Sequence, residues 1–261
     1  MSPDTAAAAF GRWLWIPDFA QTVETEEYLL VRFPDYFIHP LELARLRPRG
    51  RATGQVLDEA LARARELGPP SLNAWVRLDA PAGLDEALRA RGGEPEETLD
   101  AFALDLSAGV PDLEPPELEL RWFVDLATVR DGQRVEVEVF GGTMPPEERL
   151  ARIVEEESEA YAAGRGGRVV AYLDGEPVGT GGLVVAGSDA RLWGGAVVES
   201  ARGRGVYRAV LAARLAYAAD HGATIGLVKG RVETSGPILR RAGFEVFGQE
   251  RSYVVPLGQA R

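Results

Sequence analysis

A turn crowded with glycine and arginine most constrains how this chain can fold. Residues Glu199 to Arg208 read Glu-Ser-Ala-Arg-Gly-Arg-Gly-Val-Tyr-Arg, between a strand-like run (191–198) and a helical pattern that continues to His221. Glycine permits a positive φ and a close approach of the backbone to an oxyanion. The first turn of a helix adds N–H groups and the positive end of the helix dipole. The pattern therefore predicts a strand, a tight turn and a helix that bind a phosphorylated ligand.

The overall charge limits the kinds of partner. The 261 residues include 29 Lys and Arg against 40 Asp and Glu, a net charge of −11. This charge argues against a nucleic-acid-binding protein, which needs a broad basic face, but it allows local arginines to hold a small polyanion. Apolar runs are too short to span a membrane, and an N-terminal export signal is not recognisable. We therefore expect a cytoplasmic protein that binds neither nucleic acid nor membranes.

Cysteine and histidine usage narrows the chemistry further. The chain has no cysteine and two histidines. The lack of cysteine removes disulfides, thiolate zinc sites and a thiol nucleophile. His39 precedes a proline and His221 precedes a glycine at a predicted helix end, so structural roles are favoured over catalytic ones. We expect no metal site.

Apolar periodicity predicts alternating strands and helices in both halves. In the first half we expect a strand with a turn at 28–37, strands at 72–78 and 99–106, and helices at 55–67 and 83–91. In the second half we expect strands at 118–124, 168–173, 177–185, 191–198, 224–229 and 249–256 and helices at 126–140, 146–161, 206–221 and 236–241. Asp174-Gly175 predicts a tight hairpin. Three alternating valines leave the second half of the helix 126–140 ambiguous.

The two halves of the chain close with similar segments. Shifting residues 86–106 by 151 positions lays them on residues 237–257 without a gap. The matched pairs include Leu88 with Leu239, Gly92 with Gly243 and Leu106 with Leu257. The recurring order of elements favours an internal duplication, and a Pro- and Gly-rich stretch indicates a linker. We expect two tandem domains, at 1–108 and 117–261, joined by a linker at 109–116.

Two motifs resemble those of the GCN5-related N-acetyltransferase (GNAT) family. Residues 197–207, Val-Val-Glu-Ser-Ala-Arg-Gly-Arg-Gly-Val-Tyr, are similar to motif A, Arg/Gln-x-x-Gly-x-Gly/Ala at the join of the fourth strand and a long helix. Residues 235–244 are similar to the closing segment, a short helix that ends in Gly-Phe. The resemblance covers about residues 118–257. It implies an α/β fold (α+β mixed sheet) of two tandem GNAT-like acyl-CoA N-acyltransferase domains, the first of them degenerate.

The resemblance also implies an activity and its binding residues. The enzyme would transfer the acetyl group of acetyl-CoA directly to a primary amine of a small molecule or peptide, as a monomer or homodimer. A splayed strand at Val197 and Val198 would offer backbone groups to the pantetheine arm. The other residues implied to bind the cofactor are Arg202, Gly203, Arg204, Gly205, Val206, Tyr207, Arg208 and Ser235.

Two positions depart from the family pattern. Tyr207 occupies a position usually given to Gly or Ala, and Leu239 stands where many members have a tyrosine that protonates the leaving thiolate. Glu199 and Glu233 are the nearest carboxylates to act as base, directly or through water. Tyr207 or Tyr253 could replace the missing acid.

Other interpretations of the same residues stay open. The glycine turn could simply cap a helix, or match part of a dinucleotide fingerprint, although Arg208 replaces the third glycine. The acidic run 155–159 could be a solvated helix face or could favour a cationic amine. Leu239 also suits a non-catalytic acyl-CoA-binding or sensing module. Transfer of another acyl or aminoacyl group is the remaining alternative.

Overall fold

The computed structural model describes residues 1–35 and 37–258, which form two units. The C-terminal unit comprises Phe102–Val246 with Met1, and the N-terminal unit comprises Ser2–Ala101 with the segment that starts at Phe247. These bounds differ from the predicted ranges 1–108, 109–116 and 117–261. The difference arises because the segment after Val246 pairs with strands of the N-terminal unit.

Helices and strands alternate along much of the chain. The helices are α1 Pro3–Gly11, α2 Thr53–Glu66, α3 Leu84–Arg89, α4 Leu126–Phe140, α5 Glu147–Ala162, α6 Val206–Asp220 and α7 Ser235–Arg241. The strands are β1 Gln21–Glu24, β2 Tyr28–Arg32, β3 Leu41–Leu46, β4 Ser71–Val76, β5 Glu94–Asp105, β6 Glu119–Trp122, β7 Gly166–Leu173, β8 Glu176–Ala186, β9 Asp189–Val197, β10 Ile225–Arg231 and β11 Glu245–Pro256. Elements α1, β1 and β3 were not predicted from the sequence.

The sheet of the N-terminal unit has the strand order β1-β2-β3-β4-β11-β5, with β5 contributing its first part. Strand β11 is antiparallel to β4, from Arg251 opposite Val76 to Pro256 opposite Ser71. Its inward side chains Tyr253 and Val255 belong to the hydrophobic core of this unit. Helix α2 packs on the same core through buried residues spaced about one helical turn apart. The last strand of the chain therefore completes the core of the first unit.

The sheet of the C-terminal unit has the order β6-β7-β8-β9-β10, followed by the second part of β5. Strands β6 to β9 are antiparallel neighbours, whereas β9 and β10 are parallel. A parallel pair needs a crossover connection, which α6 provides. Successive residues of β7 face opposite sides of the sheet. Val169 and Ala171 pack in one cluster with α6, and Val170 and Tyr172 pack in another with α4 and α5.

Two predictions about this unit are confirmed. Helix α4 is continuous to Phe140, because a capping box starts it at Asp125 and its valine Val135 is buried. The hairpin between β7 and β8 turns at Asp174 and Gly175, which have φ of 53° and 83°. Both values are positive, as a two-residue hairpin turn requires.

The shift of 151 positions relates whole elements of the two halves. Strand β5 shifted by this amount lies on β11 from its first to its last residue. Gly92 and Gly243 precede these strands with φ of 78° and 87°, the left-handed region that favours glycine. The aligned helix–turn–strand segments therefore have the same local structure. Within residues 1–35 and 37–258, no helix has the length and apolar character needed to cross a membrane.

Candidate active site

The candidate site lies where two parallel strands separate. Strands β9 and β10 pair over four positions, from Asp189 opposite Ile225 to Leu192 opposite Val228. Strand β9 then continues to Val197, but its described register with β10 ends at Leu192. Backbone groups of both strands beyond this point are not used by their pairing. An extended ligand can hydrogen-bond there as a strand would.

A β-bulge occurs just past the point of separation. Gly182 of β8 is opposite Trp193, whereas Thr180 is opposite Ala196, so β9 holds one extra residue. Gly194 has φ of 59°, the left-handed conformation of a glycine bulge. A bulge leaves backbone groups outside the ladder, and an N–H group freed in this way can polarise a carbonyl oxygen.

The predicted anion-binding turn follows β9. A short 3₁₀ turn spans Glu199–Ala201, and Gly203 and Gly205 then have φ of 75° and 80°. Gly205 is the N-cap of α6 and offers no side chain to accept from the first-turn N–H groups. Arginines 202, 204 and 208 are all exposed beside this helix start. Unpartnered N–H groups, the helix dipole and three cations together favour a phosphate.

Pro116 explains why residue 205 must be glycine. A Cβ atom on Gly205 would lie 2.9 Å from Pro116 Cγ, too close for a real contact. Pro116 belongs to the predicted linker 109–116, but its ring packs against the candidate phosphate turn. The sequence carries no local signal for this contact, because 88 residues of chain separate the two positions.

The bulky Tyr207 is accommodated by the bulged strand. A Cβ atom on Gly195 would lie 2.9 Å from Tyr207 Cε2 and 3.5 Å from its hydroxyl oxygen. The absence of a side chain at Gly195 therefore makes room for the ring. Burial raises the pKa of the Tyr207 hydroxyl, and the neighbouring Arg214 acts in the opposite direction. The hydroxyl group therefore keeps its proton at neutral pH.

Arg214 is a functional candidate that was not predicted from the sequence. Its side chain is 1% exposed, and Nη1 donates to the carbonyl oxygens of Gly182 (3.0 Å) and Trp193 (3.2 Å). Burial lowers the pKa of its guanidinium group, while contact with Tyr207 raises it. One signal was available in the sequence, since Arg214 is the only charged residue between positions 209 and 219.

Trp193 lies on the face of the sheet that α4 and α5 cover. Its indole ring lies over Gly182, where a Cβ atom would come within 2.3 Å of the ring, and reaches the Arg168 guanidinium at 5.7 Å. Arg168 donates to Glu157 (2.8 Å) and pairs with Glu136 (3.3 Å). Trp193 itself is 38% exposed. A rigid aromatic surface therefore borders the point where β9 and β10 separate.

The remaining predicted residues have varied positions. Glu199 is exposed in the 3₁₀ turn, and Glu233 is exposed in the turn between β10 and α7. Ser235 is the half-buried first residue of α7. The side chain of Val198 is buried, and its N–H donates to the Val178 carbonyl at 3.0 Å. Val197 is half-buried and Val206 is buried at the start of α6.

Leu239, at the family's usual tyrosine position, and Tyr253, the alternative acid, are each buried within their own unit. Leu239 is fully buried, and its Cδ1 packs closely against Gly230. Tyr253 belongs to the N-terminal unit, where its hydroxyl group hydrogen-bonds to Asp85. Leu239 therefore has a packing role.

Comparison with known proteins gives a consistent result. Residues 137–235 match the family model described as "Acetyltransferase (GNAT) family". A GCN5-related N-acetyltransferase from Kribbella flavida is similar with a TM-score of 0.70 and 16% identity, over 98% of this chain and 96% of that one. A GCN5-related N-acetyltransferase from Sphaerobacter thermophilus gives 0.67 and 20%, over 89% and 81%.

A third structure has the same two-part character. It is described as a tandem GNAT protein from the clavulanic acid biosynthesis pathway (without AcCoA), and gives a TM-score of 0.65 at 18% identity, over 99% of this chain and 89% of that one. No curated protein matches this chain in sequence. At these identities the structural likeness establishes the fold, two GNAT-like domains in tandem.

Proposed function

We propose that this chain, whose residues 137–235 match the GNAT family model, is an acyltransferase that transfers the acetyl group of acetyl-CoA to a primary amine. The family supports acyl-CoA-dependent N-acyl transfer. The acetyl group as the acyl unit, and a small-molecule or peptide amine as the acceptor, are our proposal.

The start of α6 is the observation that carries the proposal. Gly205 leaves the first-turn N–H groups without a side-chain cap, and exposed arginines surround them in a chain with a net charge of −11. The pyrophosphate of CoA is an anion of the size that such a turn binds. We propose that Arg202, Arg204 and Arg208 contact it, and that the pantetheine arm extends from there along Val197 and Val198.

The separation of β9 and β10 suits the reacting group. We propose that a backbone N–H of the bulge at Gly194 and Gly195 polarises the thioester carbonyl. The amine lone pair then attacks the carbonyl carbon and forms the C–N bond. The C–S bond breaks with its electron pair on sulfur, and the proton lost by nitrogen passes to a base. Glu199 or Glu233, through water, is the proposed base.

The acceptor is proposed to approach from the side of Trp193. The exposed indole face offers contact to an apolar or cationic group. Arg168 with Glu136 and Glu157 adds a net charge of −1 behind the ring. Helix α5 adds exposed carboxylates at 155, 156 and 159. This charge distribution favours an amine acceptor over an anionic one.

Titration calorimetry with CoA tests the proposal on the full chain. Arg202→Glu places a negative charge beside the proposed pyrophosphate site, so we expect its affinity for CoA to fall at least about tenfold. Arg152→Glu is the matched control, because Arg152 is exposed on α5, where it pairs with Glu156 at the surface. Failure of the wild-type chain to bind CoA, or equal affinities for the wild type and Arg202→Glu, would contradict the proposal.

A non-catalytic acyl-CoA-binding module is the second candidate. The buried Leu239 favours it, because the family's usual tyrosine acid is replaced there by a core residue. Release of free CoA with a panel of amines, corrected for hydrolysis, distinguishes the two. Amine-dependent release is expected only from the enzyme.

A further inference from the structure

Arg214 is a buried cation whose hydrogen bonds go to backbone carbonyl oxygens. It is 1% exposed, and its guanidinium donates to three backbone carbonyl oxygens, those of Val210, Gly182 and Trp193. Among the residues that the structure describes, no carboxylate forms an ion pair with it. Burying such a charge is costly, because carbonyl dipoles replace hydration only in part. An apolar residue of similar volume would avoid this cost.

The strands around Arg214 are built to admit it. A Cβ atom on Gly181 would lie 2.8 Å from the guanidinium carbon, and one on Gly195 would lie 3.6 Å from Nη2. Helix α6 is otherwise apolar at this level, from Ala209 to Ala219. Glycines on β8 and β9 therefore leave the space that the guanidinium occupies.

The position of the charge is specific. Gly182 and Trp193 are the pair that precedes the bulge, and Trp193 is the first residue of β9 beyond its register with β10. Arg214 thus holds the strand at the point where the proposed thioester site begins. The guanidinium group and the Tyr207 hydroxyl group both lie against Gly195, where a Cβ atom would be 3.6 Å from Arg214 Nη2 and 3.5 Å from the Tyr207 oxygen. Arginine has only donors and cannot take the proton of the tyrosine, so the Tyr207 hydroxyl proton stays available to a ligand.

We propose that Arg214 is a positioning residue for acyl transfer, which holds the bulged strand and the Tyr207 side chain in place. Its positive charge stabilises the negative charge that develops on the CoA sulfur. This inference rests on the proposed function. Arg214 keeps its proton throughout. As the C–S bond breaks, the electron pair stays on sulfur, and Tyr207 donates a hydrogen bond to the thiolate. The proton released by the attacking amine finally neutralises the thiolate through solvent.

The acidity of bound CoA provides a test that does not depend on turnover. A fixed cation near sulfur favours the thiolate, so the wild-type chain should bind CoA with a thiol pKa at least about 1 unit below that of free CoA. The thiolate is followed by its ultraviolet absorbance against pH. Arg214→Met should remove most of this lowering, and Arg214→Lys should retain part of it. Arg152→Met serves as the control.

Kinetics and stability separate this role from simple packing. Tyr207→Phe keeps the ring and should lower kcat about 100-fold with an unchanged KM for acetyl-CoA. Arg214→Met should also lower kcat, whereas a purely packing role would change stability without changing the thiol pKa of bound CoA.

Each outcome decides the inference. Equal thiol pKa values of CoA bound to the wild type and to Arg214→Met would overturn it while leaving the proposed function standing. If Arg214→Met does not fold, the same comparison with Arg214→Lys and Tyr207→Phe decides, and unchanged values in both would overturn it. A chain that does not bind CoA at all would overturn both proposals.

Discussion

At the scale of single residues, glycines decide where the large side chains of the site lie. Gly182 lets the Trp193 ring cross β8, and Gly195 makes room for Tyr207. The glycine pattern of the phosphate turn could be predicted, because it is local in sequence. The roles of Gly182 and Gly195 could not be predicted from the sequence, since each depends on which side chain of a neighbouring strand or helix lies against it.

Gly182→Ala tests this dependence. Its Cβ would come within 2.3 Å of the rigid Trp193 ring, so we expect the free energy of unfolding to fall by about 1 to 3 kcal/mol. Gly226→Ala on β10 is the matched control. Its nearest neighbour would be Leu215 Cδ2 at 3.4 Å, an ordinary contact, so we expect no loss. Urea unfolding of the three proteins measures the difference, and equal losses in both variants would contradict the explanation.

The departure at Tyr207 is explained at the same scale. A glycine on β9 compensates for a ring on α6, so the larger residue does not require the helix to move away from the sheet. The departure at Tyr207 is evident in the sequence, whereas the compensating glycine, Gly195, is identified only by the fold. Arg214 was missed for a related reason, because an arginine in an apolar helix indicates a constraint without identifying the group that it contacts.

At the scale of elements, the cap at Asp125 and the burial of Val135 explain why α4 is helical despite its alternating valines. Valine alternation left the end of α4 ambiguous, but the helix starts with a reciprocal cap. Thr128 N–H donates to Asp125 Oδ1 at 2.8 Å, and Asp125 N–H donates to Thr128 Oγ1 at 3.4 Å. Tertiary burial of Val135 then overrides its modest preference for strands. Amphipathic periodicity and the Asp174-Gly175 dipeptide predicted most elements, whereas the separation of β9 from β10 arises from pairing between distant segments.

Asp125→Ala removes this cap. We expect a loss of about 1 kcal/mol in the free energy of unfolding, whereas Asp125→Asn should lose less because asparagine also caps helices. The Thr128 backbone N–H lowers the pKa of the Asp125 carboxyl group from its ordinary value near 3.8. A lowered pKa means that the carboxylate stabilises the fold above the ordinary value and that this contribution is lost as the pH falls through the lowered one.

The pH dependence provides the check. Chemical denaturation at several pH values should show a difference between the wild type and Asp125→Asn that is constant near neutrality and shrinks under acid conditions. A difference that grows as the pH falls would contradict the assignment.

At the scale of the whole molecule, sequence periodicity predicted two similar halves. The boundaries of the two units in the structure differ from the predicted ones. Chain order suggested that each half folds from its own continuous segment. The units instead divide within β5 and β11, because the residues of β11 find their partners in β4. Local sequence patterns cannot predict this pairing, since about 180 residues separate β4 from β11 in the chain.

A fragment of residues 1–108 should therefore not fold by itself. It lacks Tyr253, Val255 and Leu257, which are 0%, 1% and 3% exposed in the core of the N-terminal unit. Burial of each contributes about 1.5 to 3 kcal/mol, and their sum is comparable with the entire stability of a domain. The same fragment joined by a flexible Gly/Ser linker to residues 247–258 should recover a cooperative transition. Circular dichroism during urea unfolding compares them, and cooperative unfolding of the shorter fragment would contradict the prediction.

The position of β11 in the chain has a consequence for synthesis. A ribosome makes Ser2–Ala101 first and reaches Phe247 only after 145 further residues. At a translation rate of about 5 to 20 residues per second, β11 is synthesised roughly 7 to 29 s after the first segment. During this interval one edge of β4 has no strand to pair with, and the emerging C-terminal unit can fold first. Chaperone contact with the nascent chain should therefore concentrate on the segment that was translated earliest.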